Sequence, residues 1–403
     1  MTAILGLNAF HPDSSACLVV DGKLVAAIAE ERLGQRNKHT MAFPIEAIKT
    51  VLSYGGLSLS DISHVAIARS ASSNLLAKAR HTLGTPSIAM NVATEFLKRQ
   101  TRSKSFLGTL AERLGVDASQ SKYDTFFVEH HLAHIASSYY VSDLDSSAAF
   151  SYDGSGDFAS AMSASCKGTK IDILGKVCVP DSLGHFYSAM CQFIGFDLFG
   201  EEYKVMGLAP YGEDLFEAEM NKILEFDNSN WFKLNRKIFQ THKGLSESSL
   251  TDGKEMKMGK LYTPKLIELL GDPRERSATI TQREKNIAKS TQQHFERAAT
   301  NCLKHLESKV PLERLVLSGG CSLNGVMNAK IYRDFDVKNM YIQAAASDDG
   351  TAIGAAFACW HMHLKQPERF HMKHAFWGNE YSAQQIRKAI DPANFSVNEC
   401  RTQ

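Results

Sequence analysis

The sequence predicts a duplicated α/β fold with a cleft between two halves, on three observations. Strand, turn and helix signals alternate quickly near the N-terminus, and a strand-turn-strand-turn-strand series starts again at Asp145. A long amphipathic pattern then leads into a strand that stops at paired glycines. In order, Ala3–Ala9 reads as a buried strand, the polar stretch FHPDSS as a turn, and Ala16–Glu31 as a hairpin turning at Asp21-Gly22. Pro44–Gly56 is a helix, with Ile45, Ile48 and Leu52 on one face and a Gly-Gly stop, and His64–Ala68 returns as a strand. In the second series (Asp145–Val177) a strand ends at Asp153, a Gly-rich turn follows, and a Lys167-Gly168 turn separates two further strands.

The stretch from Leu215 to Arg283 carries weaker signals and reads as a partly helical insertion. Gln282–Lys309 is a long helix, with Ile287, Thr291, Phe295, Ala298, Cys302 and Leu306 at helical spacing. Arg314–Gly320 is a strand ending in Gly-Gly, Ser322–Asp334 a helix, Met340–Gly350 the approach to a second loop, and Thr351–His363 a small-residue helix. The expected division is a first lobe over 1–145, a second over 146–370 with an insertion at about 213–283, and a short remainder over 371–403.

Composition excludes several classes. The 403 residues are 44% hydrophobic and 22% charged, as in a globular protein with a large core rather than a disordered or fibrous one. Lys plus Arg (45) nearly equal Asp plus Glu (44), which argues against a dedicated nucleic-acid binder. No basic leader and no apolar run of about 18 residues is present, so a cytoplasmic location without membrane spans is expected. The eight cysteines never form C-x-x-C and are expected as reduced thiols.

Three clusters of residues carry chemistry. In VEHHLAHIASSYY, His130 and His134 share one helical face and suit one cation, whereas His131 points elsewhere. Asp153 and Asp348 or Asp349 end strands, where ligands of α/β sheets collect, and two imidazoles with carboxylates suit iron or zinc. The loops SGG (Ser318–Gly320), DGSGD (Asp153–Asp157) and DDGT (Asp348–Thr351), with Asn324 and Asn328 beyond the first, gather backbone N–H groups fit for phosphate. There is neither a Walker A pattern nor a dinucleotide-binding fingerprint. His11 stands in the first turn, and Arg32, Arg36, Lys38 and His39 form a cationic stretch near it.

Together GLNAFHPDSSACLVVDGKLVAAIAEERL, VEHHLAHIASSYY, SYDGSGD, GEEYKVMGLAPYG, LSGGCSLNGVMNAKI and SDDGTAIGAA resemble the carbamoyltransferases of the NodU/CmcH type, in family order over nearly the whole chain. The resemblance implies a duplicated actin/hexokinase-like (ribonuclease H-like) fold of the Kae1-like kind. It also implies an O-carbamoyltransferase that moves a carbamoyl group from carbamoyladenylate, made from ATP and carbamoyl phosphate, to a hydroxyl of a small molecule. By the same resemblance His130, His134, Asp153 and Asp348 are metal ligands, with magnesium a further possible ion. Gly154, Ser155, Gly156, Gly319, Gly320, Asn324 and Lys204 form the nucleotide-binding set, and His11 takes the acceptor's proton. The sequence reads HPDSS where the family reads HDSS. A YrdC-like domain handling carbamoyl phosphate follows this region in the family and is expected to be missing from these residues; a homodimer is possible. Alternatives within the fold are a tRNA threonylcarbamoyl-transfer protein and a small-molecule kinase; outside it stands a nucleotide-binding module without turnover.

Overall fold

Two five-stranded sheets share one strand order in the computed structural model, which describes residues 1–9, 11–33, 38–70, 72–75, 78, 110–117, 122–226, 231–250 and 255–390. In the first, β1 (Ala3–Asn8) pairs antiparallel with β2 (Ser15–Val20), and β2 with β3 (Lys23–Ala29). On its other side β1 runs parallel to β4 (His64–Ile67), which runs parallel to β5 (Asp124–Phe127). The second sheet repeats this with β6 (Ser146–Gly156), β7 (Ala159–Lys167) and β8 (Lys170–Cys178) antiparallel, then β9 (Arg314–Ser318) and β10 (Asn339–Ile342) parallel. The shared order is the ribonuclease H-like arrangement used twice, the duplicated actin/hexokinase-like architecture.

Local chemistry explains most elements. Asp21 and Gly22, at φ 44° and 76°, supply the two left-handed residues that a tight hairpin turn needs. Helix α1 (Ile45–Gly55) stops where Gly56 takes φ 60°. Helix α2 (His130–Tyr139) follows β5, α3 (Leu183–Phe193) follows β8, and α4 (Gln282–Glu307) starts in a capping box of Thr281 and Glu284. Between α3 and α4 lie short helices and two-residue strand pairs.

Two boundaries differ from the sequence reading. The strand expected to end at Asp153 continues to Gly156, with its register interrupted between Tyr152 and Gly156, and the reversal falls on Asp157 and Phe158 at φ 48° and 74°. Gly154–Gly156 is therefore the bulged end of β6, and the turn itself uses two non-glycine residues. The helix expected from Ser322 starts only at Gly325: residues Gly320–Leu323 form a 3-10 turn, and Asn324 then caps α5 (Gly325–Asp334) by accepting from Met327 N–H.

The halves meet through α2 and α6 (Thr351–Ala358), the helices that follow the last strand of each sheet. Both are buried, and small residues let their backbones approach. A Cβ on Gly354 would lie 1.8 Å from Ala133 O, and one on Gly6 would lie 2.2 Å from Ala352 O. The chain beyond α6 straps this junction: Arg369 donates to the carbonyls of Tyr139, Ser142 and Leu144 and lies 4.5 Å over the Tyr139 ring. Farther on, Ala27 N–H donates to Trp377 O at 2.9 Å.

The cysteines Cys17, Cys166, Cys178, Cys191, Cys302, Cys321 and Cys359 are free thiols; Cys400 and the rest of 391–403 lie outside the described residues. Among the described residues no helix is long and apolar enough to cross a membrane.

Two stability measurements test this packing. Gly354→Ala forces α2 and α6 apart and is expected to cost about 1–3 kcal/mol, as overpacking does; an unchanged urea midpoint would contradict the contact. Glu201 is the second case. Burial raises its pKa, but hydrogen bonds from Arg276, Lys204 and the Leu198 N–H overrule that and bring it to about 2 from 4.5. A lowered folded pKa means that this contribution is complete above the ordinary carboxylate range and is lost as pH falls through about 2. Glu201→Gln is expected to flatten the loss of stability measured between pH 5 and 2 by about that share. A slope identical to that of the wild type would contradict it.

Candidate metal and proton-transfer site

Helix α2 enters the junction with its N-terminus pinned on both sides. Glu129 accepts from Leu132 N–H at 2.8 Å, and Asp157 accepts from His130 N–H at 3.0 Å and Ser70 N–H at 2.7 Å. One turn apart, His130 and His134 aim their Nε2 atoms at one point, 3.1 Å from each other. Gly156 makes room for the first ring, since a Cβ there would fall 2.1 Å from His130 ring carbons. Asp153, in the bulged part of β6, and Asp348 after β10 close the set. Asp348 Oδ1 lies 3.3 Å from each Nε2, and Asp153 Oδ2 lies 3.5 and 3.6 Å from them. One donor atom from each of the four lies within 4.8 Å of all the others.

Burial disfavours charge on His130, but the carboxylates of Asp348 and Asp153 overrule it and hold its pKa well above the ordinary value. His134 moves the same way for the same reasons. Asp153 and Asp348 are lowered despite their burial, because the imidazoles favour their ionised forms. A site that draws positive charge onto two imidazoles has a field suited to a cation. Asp348 Oδ1 is buried and accepts no hydrogen bond. Two imidazole nitrogens and two carboxylate oxygens facing one gap form a donor set that suits a divalent ion.

His131 takes no part. Its Nδ1 pairs with Ser151 Oγ at 2.7 Å, and burial drives its pKa well below the ordinary value. Asp349 is likewise apart: burial, then Asp13 and Asp348, push its carboxyl up to about 7, and its Oδ1 accepts from Gly350 N–H.

His11 joins the set through the other oxygen of Asp348, which pairs with His11 Nδ1. After Pro12 the loop takes Asp13 at φ 56°, and Asn8 Nδ2 donates to the carbonyls of Pro12 and Asp13 at 2.9 and 3.0 Å.

The expected nucleotide-binding residues divide. Gly319, at φ 87°, lets the strand end pass against Tyr152, where a Cβ would meet the carbonyl at 2.2 Å. Gly320 N–H is donated to Asp153 Oδ1 at 3.0 Å, so in this structure it orients that carboxylate. Asn324 exchanges hydrogen bonds with Gln292, both at 3.0 Å, besides capping α5. Lys204 is held by Glu201 at 2.5 Å and lies 5.1 Å over the Phe196 ring. Gly154 and Ser155 abut the start of α3, where Gly184 has no room for a Cβ and Ser182 Oγ donates to Gly154 O at 2.6 Å. His185, absent from the sequence expectations, lies 3.4 Å from Ser155 Oγ, and burial lowers its pKa to about 4. Of the cationic stretch, Lys38 pairs with Glu255 at 3.4 Å and Arg32 with Glu31 at 3.5 Å; Arg36 lies outside the described residues. The Asp13–His39 pair, at 2.6 Å, was also unexpected; its members are 26 positions apart and form no motif.

Comparison with known proteins sets this geometry in a family. Residues 3–357 match the family model described as Carbamoyltransferase N-terminus. Nodulation protein NolNO of Sinorhizobium fredii is 31% identical over 92% of this chain and 49% of its own length. Protein sll1178 of Synechocystis is 33% identical over 91% of this chain and 58% of its own length. The chain thus spans about half the length of the curated relatives it matches. Among solved structures, full-length HypF in its phosphate- and nucleotide-bound form overlaps 90% of this chain and 56% of its own, at 11% identity and a TM-score of 0.46. The ROK hexokinase of Thermus thermophilus overlaps 88% and 98%, at 10% identity and a TM-score of 0.38. With the family model covering both sheets and His11, His130, His134, Asp153 and Asp348, this chain belongs to the carbamoyltransferase family.

Proposed function

We propose that this region carries the transfer step of an O-carbamoyltransferase, moving a carbamoyl group from carbamoyladenylate to a hydroxyl of a small molecule. Within that reading the nucleotide, supplied as ATP or as the adenylate, lies by the bulged Gly154–Gly156 end of β6 and the Gly319–Gly320 loop. Carbamoyl phosphate is used by the further region that the longer relatives have room for. The observation that carries the proposal is the shared carboxylate of Asp348, which faces the His130 and His134 nitrogens with Oδ1 and His11 with Oδ2. A proton-accepting imidazole is thereby fastened directly beside a site for a divalent cation.

A divalent ion, iron or zinc by the donor types, would be held by His130, His134, Asp153 and Asp348 and would supply Lewis-acid polarisation of a carbonyl or phosphate oxygen. The residues of the chain do the rest. In the tautomer this reading requires, His11 Nδ1–H donates a hydrogen bond to Asp348, which leaves Nε2 as the basic nitrogen. That nitrogen takes the proton of the acceptor hydroxyl as the oxygen attacks the carbamoyl carbon. The new C–O bond forms, the bond from the carbamoyl carbon to the phosphate oxygen breaks, and AMP leaves with the electron pair. Asp348 plays the orienting part that a carboxylate plays behind a catalytic histidine, fixing the tautomer and favouring the imidazolium that forms.

The test uses preformed carbamoyladenylate with a panel of sugars, aminoglycosides and nucleosides as acceptors. His11→Ala is expected to slow transfer by about 10²–10⁴-fold, the usual range for a general base, with AMP affinity unchanged. Transfer at the wild-type rate by His11→Ala would reject the role.

A further inference from the structure

The loop carrying His11 is held by more than its own backbone. Asp13, two residues on, has φ 56°, and His39 has φ 55°; both are left-handed without being glycine. The two are joined directly, His39 Nδ1 lying 2.6 Å from Asp13 Oδ1. The other carboxylate oxygen, Oδ2, accepts from Ser347 Oγ at 2.7 Å. Ser347 immediately precedes Asp348, the partner of His11. His39 is in turn fixed on several sides. Its N–H donates to Glu31 Oε2 at 2.7 Å, and its ring meets Phe199 edge-on at 5.0 Å. Its Nε2 fills the space over Gly200, where a Cβ would come within 2.1 Å. Ser14 tightens the same knot, its N–H and Oγ both donating to Thr40 O at 3.1 and 2.7 Å.

Asp13, Glu31 and His39 also stand close enough to hold a cation. Their atoms are already used, however. Both oxygens of Asp13 have donors, and Glu31 Oε2 accepts the His39 N–H. The arrangement is that of a brace. Two strained residues joined by one hydrogen bond persist only where surrounding contacts hold them, and such strain gathers beside functional groups.

We propose that Asp13 is a positioning residue for His11: its carboxylate, gripped by His39 Nδ1 and Ser347 Oγ, ties the β1–β2 loop to the Asp348 loop and so fixes His11 Nδ1 on Asp348. The catalytic consequence rests on the proposed role of His11 as base, but the brace has a readout of its own. In water a neutral imidazole favours the proton on Nε2, whereas the brace places it on Nδ1.

Long-range proton–nitrogen NMR of the chain labelled with ¹⁵N-histidine, at mildly alkaline pH, reads this directly, with His11→Gln identifying the signal. The wild type is expected to show His11 protonated on Nδ1. Asp13→Ala and His39→Ala are expected to lose that signature, while the His131 signal, bound to Ser151, stays in place as a control for folding. His39→Asn is expected to keep it, because the Asn amide nitrogen stands near the place of Nδ1 and Asn tolerates a left-handed backbone. Ser347→Ala, which leaves both strained residues in place, serves if the Asp13 variant does not fold and is expected to weaken the signature. Retention of Nδ1 protonation in folded Asp13→Ala, or in Ser347→Ala, would overturn the brace, as would its loss in His39→Asn. The expected tautomer changes together with a fully active His11→Ala would sustain the brace and remove the base.

Discussion

One carboxylate, Asp348, organises the junction. It is buried, and it meets the imidazoles of His130 and His134 with one oxygen and that of His11 with the other. An ionised carboxyl out of water is tolerated only when compensated. Three histidines from two distant loops or helices provide that compensation, His11 across 337 positions of sequence. The geometry of His11 and that of the candidate metal group are therefore one problem. Moving Asp348 moves both.

The duplicated topology is what delivers these groups to one place. Each half ends in a strand followed by a helix, and the two helices, α2 and α6, pack against each other where the sheets meet. The first two turns of α2 bring His130 and His134, and the loop before α6 brings Asp348. The first turn of the first sheet brings His11, and the bulged part of β6 brings Asp153. None of this works if these elements stand farther apart: Gly354 of α6 faces Ala133 O of α2, and Gly6 of β1 faces Ala352 O of α6, without side chains between them. Small residues here set the distance between ligands on different elements.

Much of this was legible in sequence because it is local. The hairpin at Asp21-Gly22 and the helical i,i+4 spacing of His130 and His134 follow from short-range periodicity and turn chemistry, whereas Asp153 lies within β6 and Asp348 in a 3-10 turn beyond β10. The family motifs then joined those fragments into one site. What was not legible depends on pairs that no local pattern records. The bulged end of β6 looked like a glycine turn because DGSGD carries turn residues, yet Gly156 answers the His130 ring, and the reversal uses Asp157 and Phe158. The bond from Gly320 N–H to Asp153, 167 positions away, is another such pair. His39 read as part of a basic stretch; only the fold sets it against Asp13 and Gly200.

The central claim is that four side chains from both halves converge on one point able to hold a divalent ion beside His11. Anomalous diffraction from crystals of the chain grown with zinc, collected at the zinc edge, tests it most directly. The account predicts a strong peak within about 2.0–2.2 Å of the Nε2 atoms of His130 and His134 and of carboxylate oxygens of Asp153 and Asp348. No peak there in zinc-replete crystals, or a peak only among Asp13, Glu31 and His39, would contradict it.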